Sequence, residues 1–86
     1  MRSMDTIART TKQLGAAVRR TRRQKDLTQG TLAERMGTRQ ATVSKLEAGE
    51  AATQLRTLMD ALTALDLELV IRPRTQTSIE DIGEMF

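Results

Sequence analysis

Apolar residues recur at intervals of three and four along most of the chain, which is the period of amphipathic helices. The most regular stretch begins after Thr53 and runs through Leu55, Leu58, Met59, Leu62 and Leu65. This stretch predicts a helix whose apolar face packs either in a core or against a second copy of the chain.

An earlier helix is predicted from Thr10 to about Lys25. Thr10 is a good N-cap, and Gln13 stands three residues further on, at the spacing of a capping box. Residues 1–9 show no period and are interpreted as an N-terminal arm. The predicted inward face of the helix consists of Leu14, Ala17, Val18 and Thr21.

Residues 28–49 predict two short helices joined by a tight turn. Thr28 is the expected N-cap of the first. Gly37 can adopt the left-handed conformation that ends this helix, and Thr38 is expected to cap the next one. The inward residues of the first helix are predicted to be Leu32, Ala33 and Met36.

The second helix of this pair is predicted from Arg39 to Ala48, with Val43 and Leu46 buried. Short or forked polar side chains on its other face suit base edges and phosphates. A helix–turn–helix with such an outer face predicts DNA binding, with the second helix in the major groove. The outward residues are Arg39, Gln40, Ala41, Ser44 and Lys45.

Residues 67–72 change to a period of two, which predicts a strand with Leu67, Leu69 and Ile71 on its buried face. No other convincing strand exists in the chain, and an unpaired strand leaves its backbone groups without partners. Pairing with the same strand of a second copy is therefore expected, over the leucine-rich helix, in a two-fold homodimer. Pairing with residues 4–8 of the same chain is the weaker alternative. The predicted dimer interface consists of Leu67, Leu69, Ile71, Leu62 and Leu65.

Pro73 ends the predicted strand, and residues 74–86 are interpreted as a flexible acidic tail. Ser78 and Asp81 stand at capping-box spacing, but the segment is too short to be a stable helix alone. Two interpretations stay open, a frayed end or a segment that folds onto a protein partner. The apolar residues available to such a partner are Ile79, Ile82, Met85 and Phe86.

The net charge of +3 conceals a strong asymmetry. Residues 1–45 carry eleven Lys/Arg and three Asp/Glu, a net charge of +8, whereas residues 46–86 carry three and eight, a net charge of −5. The first half is therefore expected to attract a polyanion, and the second half suits a protein partner or solvent.

The residue types that are missing exclude several classes of function. The chain has no cysteine and no histidine, so it lacks thiolate ligands and the commonest general base. The carboxylates are interpreted as caps and surface charges; no catalytic residue, metal site, cofactor or small-molecule substrate is predicted. No apolar run approaches the ~20 residues that span a bilayer, and MRSMDTIART lacks a signal-peptide core, so a cytoplasmic protein is expected.

The segment from Leu14 to Gly49 resembles the Cro/CI-type (XRE-like) helix–turn–helix of phage repressors and bacterial regulators. The matching residues are LTQ at 27–29, LAERMG at 32–37 and VSKLEAG at 43–49. With QATVSKLE at 40–47, the leucine helix, the strand LELVIRP and an aromatic-ended tail, the layout resembles HipB-type antitoxins. The resemblance implies a mainly α fold, in which a four- to five-helix lambda-repressor-like domain over residues 10–66 is followed by one strand at 67–73 that pairs across a homodimer.

The resemblance also implies roles for individual positions. Gln40, Ala41 and Lys45 match base-facing positions, with Arg39 and Ser44 at the edge. Gln suits adenine, Lys suits the guanine acceptors, and Ala can contact a thymine methyl.

A second group of positions is expected to hold the sugar–phosphate backbone or the helices themselves. Gln29 matches a position that clamps a phosphate. Arg22 and Glu47 match a pair that forms an inter-helix salt bridge in several relatives, with a further phosphate contact as the alternative role of Arg22. The remaining predicted phosphate contacts are Thr28, Thr38, Arg19 and Arg23.

HipB-type antitoxins partner HipA-type serine/threonine kinase toxins, so the resemblance implies a repressor that binds a palindromic operator in nucleoid DNA and a HipA-like toxin. A stand-alone repressor is one alternative, and it predicts that residues 75–86 are dispensable. A HigA-like antitoxin of an RNase toxin is the other, and it predicts a small basic partner.

Overall fold

The computed structural model describes residues 5–74, and within this range the chain forms four helices. This confirms the mainly helical helix–turn–helix fold that the sequence predicts. The helices are α1 (Thr11–Gln24), α2 (Gln29–Met36), α3 (Gln40–Glu47) and α4 (Leu55–Ala64).

Side-chain caps fix the first residues of α1 and α2. The Thr10 hydroxyl accepts a hydrogen bond from the Gln13 backbone N–H at 3.0 Å. Gln13 reaches back in turn, and its Oε1 accepts from the backbone N–H of Arg9 at 2.6 Å. The Thr28 hydroxyl accepts from the Thr31 N–H at 3.0 Å, so both predicted N-caps are confirmed.

The turn between α2 and α3 is built on Gly37, which lies in the left-handed region with φ 73°. The Thr38 N–H donates to the Ala33 carbonyl at 2.9 Å, which completes a Schellman-type ending of α2. The prediction that Thr38 caps α3 is wrong, because this bond ties Thr38 to the end of α2. The N-cap of α3 is Arg39, which makes no side-chain capping bond.

The core lies where one face of each helix meets the others. All four helices contribute to it, with partly buried Leu14, Leu27, Met36 and Ala64 at its edge. The buried apolar residues are Val18, Leu32, Ala33, Val43, Leu46, Leu58, Ala61, Leu62 and Leu65.

The leucine stripe of the fourth helix divides between this core and the surface. Leu65 has no exposed surface and Leu62 is 5% exposed, whereas Leu55 is 68% and Met59 42% exposed. In the single chain Leu62 and Leu65 are thus covered by their own core, and their place in a dimer interface stays a prediction.

Residues 67–74 form neither a helix nor a strand in the single chain, and residues 5–9 do not pair with them. The alternative in which residues 4–8 supply the second strand within the chain is therefore wrong for residues 5–8, the part of that segment that the structure describes. Leu67, Leu69, Val70 and Ile71 are exposed, and Ile71 is 92% exposed. A strand that pairs across two copies stays a prediction.

The tail residues Ile79, Ile82, Met85 and Phe86 lie outside the described residues. Within residues 5–74, no helix is both long enough and apolar enough to cross a membrane.

Candidate nucleic-acid interface

One face of α3 is exposed along its whole length, while Val43 and Leu46 hold the opposite face in the core. This division follows from the 3.6-residue period of the helix. The structure thus places all five predicted outward side chains on one accessible surface. They are Arg39, Gln40, Ala41, Ser44 and Lys45.

A chain of side-chain hydrogen bonds joins this surface to α2. The Gln40 Nε2 donates to the Gln29 Oε1 at 3.4 Å, and the Gln29 Nε2 donates to the Glu47 Oε1 at 3.1 Å. Gln29, the first residue of α2, is therefore bonded to the first and the last residue of α3. The sequence assigns Gln29 and Gln40 separate roles and does not predict the bond between them.

Glu47 is held in place from the other side by Arg22 of α1. The Arg22 Nε and Nη2 donate to the two carboxylate oxygens of Glu47 at 2.5 and 3.0 Å, and the Arg22 Nη1 donates to the Leu27 carbonyl at 2.7 Å. The two side chains are only 8% and 3% exposed. The predicted ion pair is confirmed, and the buried guanidinium is engaged within the chain rather than presented to a phosphate.

The ion pair changes the acid–base behaviour of both partners. The hydrogen bond to Glu47 raises the pKa of Arg22 against the effect of burial. Burial acts to raise the pKa of Glu47, but hydrogen bonds from Arg22 and Gln29 and the nearby positive charges outweigh it and lower that pKa below its ordinary value. The Glu47 carboxylate is therefore ionised in the folded protein at neutral pH.

Three exposed arginines of α1 line a groove that also borders Glu47. Arg19 and Arg23 are the predicted phosphate contacts, and the structure brings them together with Arg20. The Arg20 Nη2 also donates to the Thr6 hydroxyl at 3.4 Å. The groove concentrates positive charge beside the end of α3, and its arginines belong to the half of the chain that the sequence predicts to attract a polyanion.

A second groove runs between α3 and the start of α4. Thr38 and Lys45, both assigned to DNA from the sequence, lie on its wall. The sequence predicts no role for the remaining lining residues. Four of them lie in the loop before α4, which has no period to detect, whereas Thr42 and Thr57 lie within α3 and α4. These remaining residues are Thr42, Glu50, Ala52, Thr53, Gln54 and Thr57.

Among residues 5–74 there is no group of three or more His, Cys, Asp or Glu side chains that could hold a metal ion. What the surface does offer is hydrogen-bond donors, amides and positive charge, with an ordered carboxylate behind them. This chemistry suits recognition of a duplex.

Comparisons with known proteins agree with this assignment. A model of the helix-turn-helix family matches residues 18–71. No curated protein matches the chain.

Solved structures of HipB match the chain over most of its length. A chain of the HipB–O4 20mer complex is 30% identical with a TM-score of 0.77, and the match covers 83% of this chain and 100% of that one. A complex of a single-residue HipB variant with an O2 20mer gives 32% identity and a TM-score of 0.76, with 85% and 100% covered. A chain of the HipA–HipB–O2–O3 complex is 30% identical with a TM-score of 0.77, and the match covers 83% of this chain and 100% of that one.

The chain therefore belongs to the helix–turn–helix family of DNA-binding proteins, which are regulators and not enzymes. Within that family it is similar to HipB, and its fold and sequence are those of a HipB-like DNA-binding regulator of the antitoxin and repressor type.

Proposed function

We propose that this protein is the antitoxin of a type II toxin–antitoxin pair, which represses its own operon and binds a HipA-like serine/threonine kinase toxin. The observation that carries the proposal is the exposed α3 face, held by the chain of bonds from Gln40 through Gln29 to Glu47. The similarity of the chain to HipB supports the antitoxin role, since one HipB structure also contains HipA.

In the proposed DNA complex, α3 enters the major groove and Gln40, Ala41 and Lys45 contact base edges. A Gln amide can form two bonds with adenine, and a Lys ammonium can donate to the guanine acceptors. Arg39 and Ser44 lie at the edges of the same face. The hydrogen bond to Gln29 orients the Gln40 side chain before DNA binds. Gln40 therefore loses less side-chain entropy when the base contact forms.

Phosphate contacts would set the position of the protein on the duplex. The groove of α1 arginines supplies two of them, Arg19 and Arg23, and Gln29 supplies a third at the start of α2. Such contacts carry most of the salt-dependent affinity and little of the sequence preference. The remaining proposed phosphate contacts are Thr28 and Thr38.

We propose that two copies bind together on a palindromic operator, paired through residues 67–73. Support comes from Leu67, Leu69 and Ile71, which are 38%, 50% and 92% exposed within residues 5–74 and so leave apolar surface for a partner. A two-fold dimer would place its α3 helices about one helical turn apart on DNA.

The proposed toxin contact rests on similarity to HipB and on the composition of the tail. Residues 75–86 carry three acidic residues and four large apolar ones, Ile79, Ile82, Met85 and Phe86. A short segment of this kind can order on binding a partner. The proposed place of action is the cytoplasm, on nucleoid DNA when the operator is bound.

Co-purification from native cells tests the toxin half of the proposal. The full chain and a variant truncated after Arg74 are compared, and each co-purifying protein is identified and assayed for serine/threonine phosphorylation with ATP. A kinase retained by the full chain supports the proposal, and its loss on truncation assigns the contact to the tail. DNA alone with both proteins would leave a stand-alone repressor, and a small basic RNase would indicate a HigA-like antitoxin.

A further inference from the structure

Glu50 places a carboxylate beside the face of α3 that is proposed to contact DNA. It lies in the loop after α3 and lines the same groove as Thr38 and Lys45. Its position is fixed by its backbone, because its N–H donates to the Lys45 carbonyl at 3.2 Å and its own carbonyl accepts from the Thr53 N–H at 3.1 Å. The residue is thus held just beyond the end of α3, five residues after Lys45, which is a proposed base contact.

No cation of the described chain forms an ion pair with Glu50. The ion pairs present within residues 5–74 join Arg22 to Glu47 and Arg56 to Asp60. The Glu50 side chain is exposed, so its negative charge acts on whatever enters the groove.

A duplex seated on α3 brings phosphates to both sides of that helix, since the major groove is flanked by the two strands. A carboxylate and a phosphate are both negatively charged and repel each other. Salt screens this repulsion over a Debye length of about 8–10 Å. An unpaired carboxylate at this place therefore opposes DNA binding, whatever the base sequence.

We propose that Glu50 limits the affinity of the protein for the DNA backbone, and so shortens its residence on non-specific DNA. The proposal rests on the proposed DNA-binding geometry of α3. It makes Glu50 a determinant of absolute affinity rather than of base preference, because a charge facing phosphates acts on every sequence alike.

The test compares wild type with Glu50→Gln and Glu50→Lys. The probe is a fluorescein-labelled pool of random duplexes about 20 base pairs long, titrated by anisotropy between about 50 and 200 mM KCl. We expect Glu50→Gln to bind about threefold to tenfold more tightly at the low-salt end. Glu50→Lys should bind more tightly again, and the gain should shrink as salt rises.

Glu34→Gln is the matched control, because Glu34 is also exposed and unpaired but lines neither groove. It should change affinity much less than Glu50→Gln. Thermal unfolding of each variant is measured alongside, and equal melting temperatures exclude a change in folding as the cause.

Three results would overturn the proposal. Equal affinities for wild type and Glu50→Gln would show that the carboxylate does not face the phosphates. A loss of affinity confined to a duplex selected by the wild-type protein would make Glu50 a base contact, for example to a cytosine amino group. Failure of the wild type to bind any duplex would overturn the DNA-binding geometry itself, and this result is distinct from the other two.

Discussion

Gly15 lets α1 approach α3 more closely than any other residue would. A Cβ added at this position would lie 2.6 Å from the carbonyl oxygens of both Leu46 and Glu47. These oxygens belong to backbone, which cannot rotate away as a side chain can. The contact sets the distance across which Arg22 of α1 reaches Glu47 of α3.

We therefore predict that Gly15→Ala lowers the free energy of unfolding by about 1–3 kcal/mol, the usual cost of forcing extra volume into a packed contact. Gly30→Ala is the matched control. Its Cβ would meet only the Thr28 hydroxyl at 3.8 Å, so better helix propensity should raise stability by up to about 1 kcal/mol. Urea unfolding at one fixed protein concentration measures both, and equal effects of the two substitutions would contradict the close contact.

The lowered pKa of Glu47 predicts how stability depends on pH. A carboxyl whose folded-state pKa lies below its unfolded value adds stability above the unfolded pKa, and that stability is lost as pH falls through the folded pKa. With an ordinary value of 4.5, the contribution is complete at neutral pH and declines below about 4.5. Glu47→Gln should remove this part of the acid dependence.

The same substitution leaves the Arg22 guanidinium buried without its counter-charge, so we expect it to cost about 3–5 kcal/mol at pH 7. Urea titrations of both proteins from neutral to acidic pH give the difference. A difference that stays constant through the acidic range would show that the carboxylate is not held ionised by Arg22.

At the scale of the helices, local signals in the sequence predict most of the starts and ends. Thr10, Thr28 and Gly37 act through atoms within five residues of themselves, so their roles are visible in the sequence. Thr38 is the exception, because its position in the sequence suits both the end of α2 and the start of α3. Its backbone N–H closes α2, and α3 begins without a side-chain cap.

Features that depend on contacts distant in sequence were predicted only in part. The Arg22–Glu47 pair was expected from resemblance, whereas the bond between Gln29 and Gln40 was not. The stripe of the fourth helix could not be divided between core and surface from its period alone. That division depends on which side of α4 the other helices cover.

The proposed base contacts and the proposed phosphate contacts should respond differently to substitution. Lys45→Ala removes a proposed base contact, and we predict a loss of about 1–3 kcal/mol in binding free energy that is confined to one base position. Arg19→Ala removes a proposed phosphate contact and should weaken binding to all sequences alike, with a salt slope about one unit smaller. Anisotropy titrations on matched and single-mismatch duplexes distinguish them, and an equal loss on every sequence for Lys45→Ala would refute its role.

At the scale of the whole molecule, exposed apolar surface and charge are both unevenly distributed. Leu55 and Met59 on α4, and the apolar residues from Leu67 to Ile71, keep between 38% and 92% of their surface exposed within residues 5–74. The sequence predicted the alternation in residues 67–72, but a single chain offers no strand to pair with it. A dimer interface is complete only when the second copy is present, which is why neither the sequence nor one chain establishes it.

Two neighbouring substitutions test the proposed strand pairing. In the predicted strand, Ile71 lies on the face that covers the leucine-rich helix, and Val70 lies on the opposite, solvent-facing side. Ile71→Lys should therefore raise the dimer dissociation constant by about tenfold or more, since burying one Ile side chain contributes about 1.5–3 kcal/mol. Val70→Lys should have little effect. Sedimentation equilibrium measures both, and equal effects would rule out the predicted register of the strand.

The most direct test of the DNA-binding proposal is selection of duplexes from a random pool by the full-length protein, followed by sequencing. A two-fold dimer that inserts α3 into successive major grooves predicts enriched sequences with palindromic half-sites, their centres about 34 Å or one helical turn apart. Loss of the enriched motif in Gln40→Ala would tie it to that helix. Enrichment of a single asymmetric site, or of no sequence at all, would contradict the proposed dimeric recognition of an operator.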